Sequence, residues 1–135
     1  MIFDDAMKLL EAAHAARKNA HAPYSDFFVG AALLATDGRV FVGCNVENSS
    51  YGATVCAERV ALGSAIAAGA REFSAIAVVG GKKGETGEPC PPCGICRQAL
   101  SEVCAPSTYV VLEENGAPLI YSLGELLPMH FSLEV

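Results

Sequence analysis

Phe73-Ser74-Ala75-Ile76-Ala77-Val78-Val79 is an uncharged run bounded by Arg71-Glu72 on one side and Gly80-Gly81 on the other. A short, continuous apolar run of this kind reads as a strand covered on both faces. Helical stretches stand before and after it, about Cys56 to Ala68 and Gly94 to Val103. A buried strand between helices is the mark of a layered α/β architecture. Gly80 to Pro92, rich in Gly, Lys, Glu and Pro, is the longest loop. Beyond the later helix, Thr108 to Leu112 reads as another strand and Asn115-Gly116 as a turn. Pro118 to Tyr121 reads as a last short strand, and Ser122 caps a small helix through Leu126. Upstream, residues 5 to 20 form a first helix: Met7, Leu10, Ala13, His14 and Arg17 recur at helical spacing, Asp4 or Asp5 caps it, and Pro23 closes it. Phe27 to Ala35 and Arg39 to Val46 make a hairpin about Thr36-Asp37-Gly38, with Val40, Val42 and Cys44 at period two. The predicted order is α-β-β-α-β-α-β-β-α within one domain, residues 1–135. The second helix is mostly alanine with Gly63 and Ser64, which predicts burial on more than one side.

Composition narrows what such a domain does. The chain has 135 residues, is 52% hydrophobic and only 18% charged, which excludes intrinsic disorder. Nine Lys and Arg against fifteen Asp and Glu give a net charge of −6, and the pI is near 4.9. That balance argues against nucleic acid, whose binders carry basic stripes. The first twenty residues include Asp4, Asp5, Lys8, Glu11, Arg17 and Lys18, so they lack the apolar core of a signal peptide. No stretch is long and apolar enough to span a membrane. A cytoplasmic address is therefore expected, and there disulfides are rare. Six cysteines then point to metal or redox chemistry, or to plain packing.

Two segments concentrate that chemistry: Cys56-Ala57-Glu58-Arg59 and Cys90-Pro91-Pro92-Cys93-Gly94-Ile95-Cys96-Arg97-Gln98. Of two overlapping C-x-x-C pairs, Cys93/Cys96 is favoured, because Gly94 and Ile95 offer backbone N–H donors whereas Pro91 and Pro92 have none. The pair also opens a helix, whose positive end favours thiolates. Cys56 at the start of another helix supplies a third thiolate, and three protein ligands leave the fourth tetrahedral position of a zinc ion free for chemistry. Glu58 can face that position only if Cys56 is the non-helical cap, since two helical residues point about 200° apart. Arg59, three residues on, returns to the face of Cys56 and can donate to it. Zinc with three thiolates carries 2 − 3 = −1, which weakens it as an acidifier of water. Arg59, with Arg97 as a second candidate, and the two helix starts offset that charge. Two other readings stand: a redox C-x-x-C, which the long loop before Cys93 disfavours, and a structural four-ligand site completed by Cys90. His14, His21 and His130 have no ligand-like spacing. Cys44 and Cys104 read as structural.

Taken together, Cys-Ala-Glu-Arg at 56–59 and Pro-Cys-Gly-Ile-Cys-Arg-Gln at 92–98 resemble the small zinc-dependent cytidine deaminases of pyrimidine salvage, in which a glutamate that is not a ligand acts as acid and base. Pro23-Tyr24-Ser25-Asp26-Phe27 with Val29 to Leu34, Gly43-Cys44-Asn45-Val46-Glu47-Asn48 and Glu125-Leu126-Leu127-Pro128 extend the likeness over roughly Ala20 to Phe131. The resemblance implies a three-layer α/β/α sandwich with a mixed, roughly five-stranded sheet. It implies one zinc ion per subunit on Cys56, Cys93 and Cys96. A zinc-activated hydroxide would attack C4 of cytidine or 2′-deoxycytidine, and Glu58 would move protons to N3 and then to the departing amino group. Asn45 and Glu47 would bind the ribose, Phe27 would pack on the nucleoside, and Tyr51 would be a further contact. The cysteine-only ligand set goes with homotetramers that share their active sites, Phe131 reaching a neighbour's nucleoside. Two rival readings are a blasticidin-S-like aminonucleoside deaminase, which the Asn45-Val46-Glu47 loop disfavours, and a non-catalytic zinc-stabilised binding module, which has no use for Glu58.

Overall fold

The computed structural model describes residues 1–133. Alternation along the strands organises it. The chain forms helix α1 (Phe3–Arg17), strands β1 (Phe27–Ala35) and β2 (Val40–Cys44), helix α2 (Ala57–Ala67) and strand β3 (Phe73–Lys82). Helix α3 (Gly94–Val103), strands β4 (Tyr109–Glu114) and β5 (Ala117–Ser122), and the short α4 (Leu123–Leu126) complete it. The five strands lie in one sheet, order β2-β1-β3-β4-β5; only β3 and β4 pair in parallel. Ala31, Leu33, Ile76, Val78, Val110 and Leu112 point to one face and pack with Ala57, Ala61 and Ala65 of α2 and Leu100 of α3. Ala32, Ala75, Ala77, Val79 and Val111 point to the other, against Ala6, Leu9, Leu10 and Ala13 of α1. This is the expected α/β/α layering of a mixed five-stranded sheet.

One irregularity lies in the strand that organises the sheet. Leu34 pairs with Ala75 but Ala35 with Phe73, so Ser74 is the extra residue of a bulge. The bulge turns Phe73 onto the face of Ile76 and Val78, where it fills the end of the larger core.

Helix and sheet approach closely at two glycines. A Cβ on Gly30 would overlap the carbonyl oxygen of Ala13 and the amide nitrogen of Arg17; one on Gly43 would overlap the backbone of Ala57 and Ala61. The obstacles are backbone, which cannot rotate aside. Gly30→Ala is therefore expected to destabilise the fold by about 3 kcal/mol, read as a lower urea midpoint at unchanged slope.

Four expectations are corrected. Helix α1 starts at Phe3 behind Ile2, with no side-chain cap; Asp4 and Asp5 sit in its first turn, where they favour the helix dipole instead. α1 ends at Arg17, and β3 runs on to Lys82, shortening the long loop. Helix α2 buries Ala57, Glu58, Ala61 and Ala65, but Gly63 and Ser64 are exposed in the single chain. Ser122 caps α4 as expected, in a reciprocal box with Glu125.

Candidate metal centre and active site

The two cysteine segments meet where each enters a helix. Cys56 is the non-helical N-cap of α2 and Cys93 that of α3; Cys96 lies in the first turn of α3 and is fully buried. The three sulfurs lie within 4.8 Å of one another, with Cys56 Sγ and Cys93 Sγ 3.8 Å apart. Sulfurs bound at about 2.3 Å to one tetrahedral zinc are separated by about 3.8 Å, so the donor set and its spacing fit that ion. Cys90 is not in the group; its sulfur sits over Gly80, and burial pushes its thiol up to about 11. A fourth thiolate for a closed structural site is thus missing among the described residues.

Electrostatics at the caps follow from this crowding. Cys56 is held down to about 5, first by hydrogen bonding from Cys96, then from Arg59 and Cys93; Cys96 is pushed up by the same bond and by burial. Arg59 Nη2 reaches Cys56 Sγ at 3.7 Å, the donation its spacing predicts. Its Nε is buried with no partner among the described residues. Arg97 does not join it. Residue 97 is one step beyond Cys96, about 100° round the helix. There its Nε donates to Pro92 O and its Nη1 to Leu126 O, each at 2.7 Å. The guanidinium clamps the thiol-bearing loop to the end of α4. Arg97→Ala is expected to weaken zinc binding about tenfold, as loss of an outer support does, measured by competition with a chromophoric chelator. Lys in its place will not restore it, since one ammonium cannot span both carbonyls.

Glu58 is only 4% exposed. Burial raises its pKa, and the negative charge on Cys56 adds to this; hydrogen bonds from its own backbone and Cys96, and the charge of Arg59, oppose it. A buried carboxyl whose protonated form is favoured in this way is placed to accept a proton and give it back.

The loop between β2 and α2 returns to the same place. Val46 and Val55 exchange two backbone bonds of 3.0 Å, which sets Asn45 beside Cys56 across an antiparallel bridge. Alternation then puts Asn45 and Glu47 on one side. Both are already engaged: Asn45 Nδ2 donates to Phe27 O (2.8 Å) and its Oδ1 accepts from Val29 N (2.9 Å). Glu47 accepts from the amides of Tyr24 and Ser25 at 2.9 and 3.1 Å and from the Ser25 hydroxyl, which in turn accepts from Phe27 N. These partners brace the start of β1, a role the motif does not disclose. They also hold the Glu47 carboxyl below its usual range, the Ser25 bond most of all. Its stabilisation is complete above the ordinary carboxylate pKa and is lost as pH falls through the lowered one. Glu47→Gln should flatten the acid limb of a stability–pH curve, checked by urea midpoints between pH 3 and 6, with the loss relative to wild type largest near pH 6 and shrinking towards pH 3. Phe27 is half-exposed at the head of β1. Tyr51, in a single 3-10 turn, and Phe131, in the tail, are 91% and 67% exposed. Neither is brought onto the thiols by any contact within the described chain. Gln98 Nε2 does hold the tail through Phe131 O, at 2.9 Å.

Comparison with known proteins decides among the readings of this cluster. The family described as the cytidine and deoxycytidylate deaminase zinc-binding region matches residues 4–112. The chain belongs to this family. Among its relatives, the cytidine deaminase of Halalkalibacterium halodurans is 47% identical over 131 residues, 96% of each chain. That of Sporosarcina psychrophila is 46% identical over 131 residues, 96% of this chain and 93% of the other. A crystal structure of cytidine deaminase from Burkholderia pseudomallei superposes with a TM-score of 0.84 at 56% identity, covering 92% of this chain and 97% of that one. The deaminase family's metal is zinc, and Cys56, Cys93 and Cys96 are the residues placed to hold it. No helix among the described residues is long and apolar enough to cross a membrane.

Proposed function

We propose that the chain hydrolyses cytidine and 2′-deoxycytidine to uridine and 2′-deoxyuridine with release of ammonia, as a pyrimidine-salvage enzyme of the cytoplasm. The observation that carries this reading is Glu58, a buried carboxyl beside three thiols at two helix caps. A structural metal site has no need of it. When bound, zinc supplies the Lewis acidity that makes water a nucleophile at neutral pH. Glu58 takes the proton that the attacking water loses and delivers it to N3 of the base. It then carries a proton to the amino group that leaves C4, so one water is consumed and one ammonia released. Arg59 draws charge from Cys56, offsetting the surplus of three thiolates.

Asn45 and Glu47 keep enough capacity for a sugar. A carboxylate has about four acceptor sites, of which the Tyr24 and Ser25 groups use three. The fourth suits a ribose hydroxyl, and the second N–H of Asn45 suits its oxygen. Phe27 and Tyr51 are the aromatic contacts for the nucleoside. A homotetramer accords with the exposed Gly63–Ser64 face of α2 and with Phe131 and Tyr51 standing open in one chain. Phe131 then completes a neighbour's site.

The test is a zinc-loaded protein assayed with both nucleosides, uridine formation followed by chromatography. Zinc-replete protein that forms neither uridine nor deoxyuridine would overturn the reading. Sedimentation of the same sample reports the tetramer.

A further inference from the structure

A second concentration of charge lies on the opposite face of the sheet. A cavity of about 330 Å3 opens between the end of α1 and the turn after β3, with His14, Arg17, Lys18, Phe28, Lys83 and Thr86 in its walls. Three of the chain's nine Lys and Arg residues line it, and no carboxylate among the described residues does. Arg17, Lys18 and Lys83 have no ion-pair partner among the described residues; only His14 is paired, to Glu113 at 2.8 Å. In a chain of net charge −6, three unneutralised cations in one concavity repel one another unless an anion joins them.

Arg17 is also built into the framework. Its Nε donates to Phe28 O at 2.8 Å and its Nη2 to Gly81 O and Lys82 O at 2.9 and 3.0 Å. These bonds fix the guanidinium plane at the cavity, and Nη1 donates to no described residue. Lys82 is directed elsewhere, to Ser25 O at 3.0 Å. The cavity has small-molecule size, and Phe28 is the aromatic ring in its lining. That residue follows Phe27 along β1 and so faces the layer of α1, while Phe27 faces the layer of α2 and α3.

We propose that this cavity is a second ligand site, for a nucleoside phosphate. The phosphates lie among Arg17, Lys18 and Lys83, and the base lies against Phe28. The thiol cluster is on the far side of the sheet, so both sites can be filled at once.

Calorimetry on the zinc-loaded enzyme, saturated with uridine to block the other site, tests this with ATP, tripolyphosphate and adenosine. ATP should bind once per chain and more tightly than tripolyphosphate, adenosine should not bind, and rising salt should weaken both anions. The double variant Lys18→Glu/Lys83→Glu should bind ATP about tenfold more weakly or worse, with cytidine turnover unchanged. Phe28→Leu should remove the advantage of ATP over tripolyphosphate. Absence of ATP binding at millimolar concentration, or equal affinity in the double variant, overturns the site. Equal affinity of the wild type for ATP and tripolyphosphate overturns the assignment of a nucleoside to it.

Discussion

Glu58→Gln is expected to lower kcat/KM for cytidine by about 10⁴-fold while each chain keeps its zinc. The substitution preserves size and can still donate or accept hydrogen bonds, so the 4%-exposed site has no reason to collapse. What disappears is a group that takes up a proton in one step and returns it in the next. General acid–base catalysis by a positioned side chain contributes up to about 10⁴-fold, and in the proposed mechanism one side chain serves every transfer. Desolvation, which raises the Glu58 pKa, eases that two-way traffic by making the protonated form easier to reach. Uridine formation and metal content measured on the same sample separate the roles. Turnover within tenfold of wild type, with zinc retained, would remove Glu58 from the chemistry.

Loss of a thiol should reach further, into the fold as well as the reaction. Cys96 is fully buried within a first turn that also carries Arg97, the clamp between Pro92 and Leu126. Cys96→Ala leaves two sulfurs, and zinc affinity should fall by more than about 100-fold, beyond the cost of losing an outer support. Metal binding here is coupled to folding, because ligands 37 positions apart in the chain, Cys56 and Cys93, must meet. The variant should therefore show no deamination and a lower melting temperature, and added zinc should raise that temperature less than it does for chelator-treated wild type. Cys104→Ala provides the contrast: it is buried too, but lies outside the thiol group and should keep its zinc. Wild-type zinc content in Cys96→Ala would refute its assignment as a ligand.

Much of this architecture was legible in residue order. The apolar run at Phe73, the hairpin signal at Thr36-Asp37-Gly38 and the helical spacings lead to the observed succession of elements. The cap at Cys56 follows from chemistry alone, since a carboxylate two residues from a ligand needs a non-helical break. What stayed hidden depends on contacts across the chain. Nothing near Ser74 announces a bulge; it arises from fitting Phe73 into a core shared with α3 and α4. The partners of Asn45 and Glu47 belong to β1 and the turn before it, and Arg97 finds its second carbonyl 29 residues away. Helical angles do show that Arg97 cannot face the same ion as Cys96, and that signal was available.

Phe27 and Phe28 differ by one position and serve opposite sides of the sheet. Three residues on, Gly30 is pressed against α1, while Asn45 grips both Phe27 O and Val29 N. Inserting or deleting a single residue between these anchors would turn each ring onto the other's face and break the grip of Asn45. Apart from Gly30, the chain can thus accept new side chains in this stretch far more readily than a new length. The turn from Lys83 to Glu88 enters no strand pairing, but Lys83 and Thr86 line the second cavity, so added length there would cost the proposed ligand site rather than the sheet.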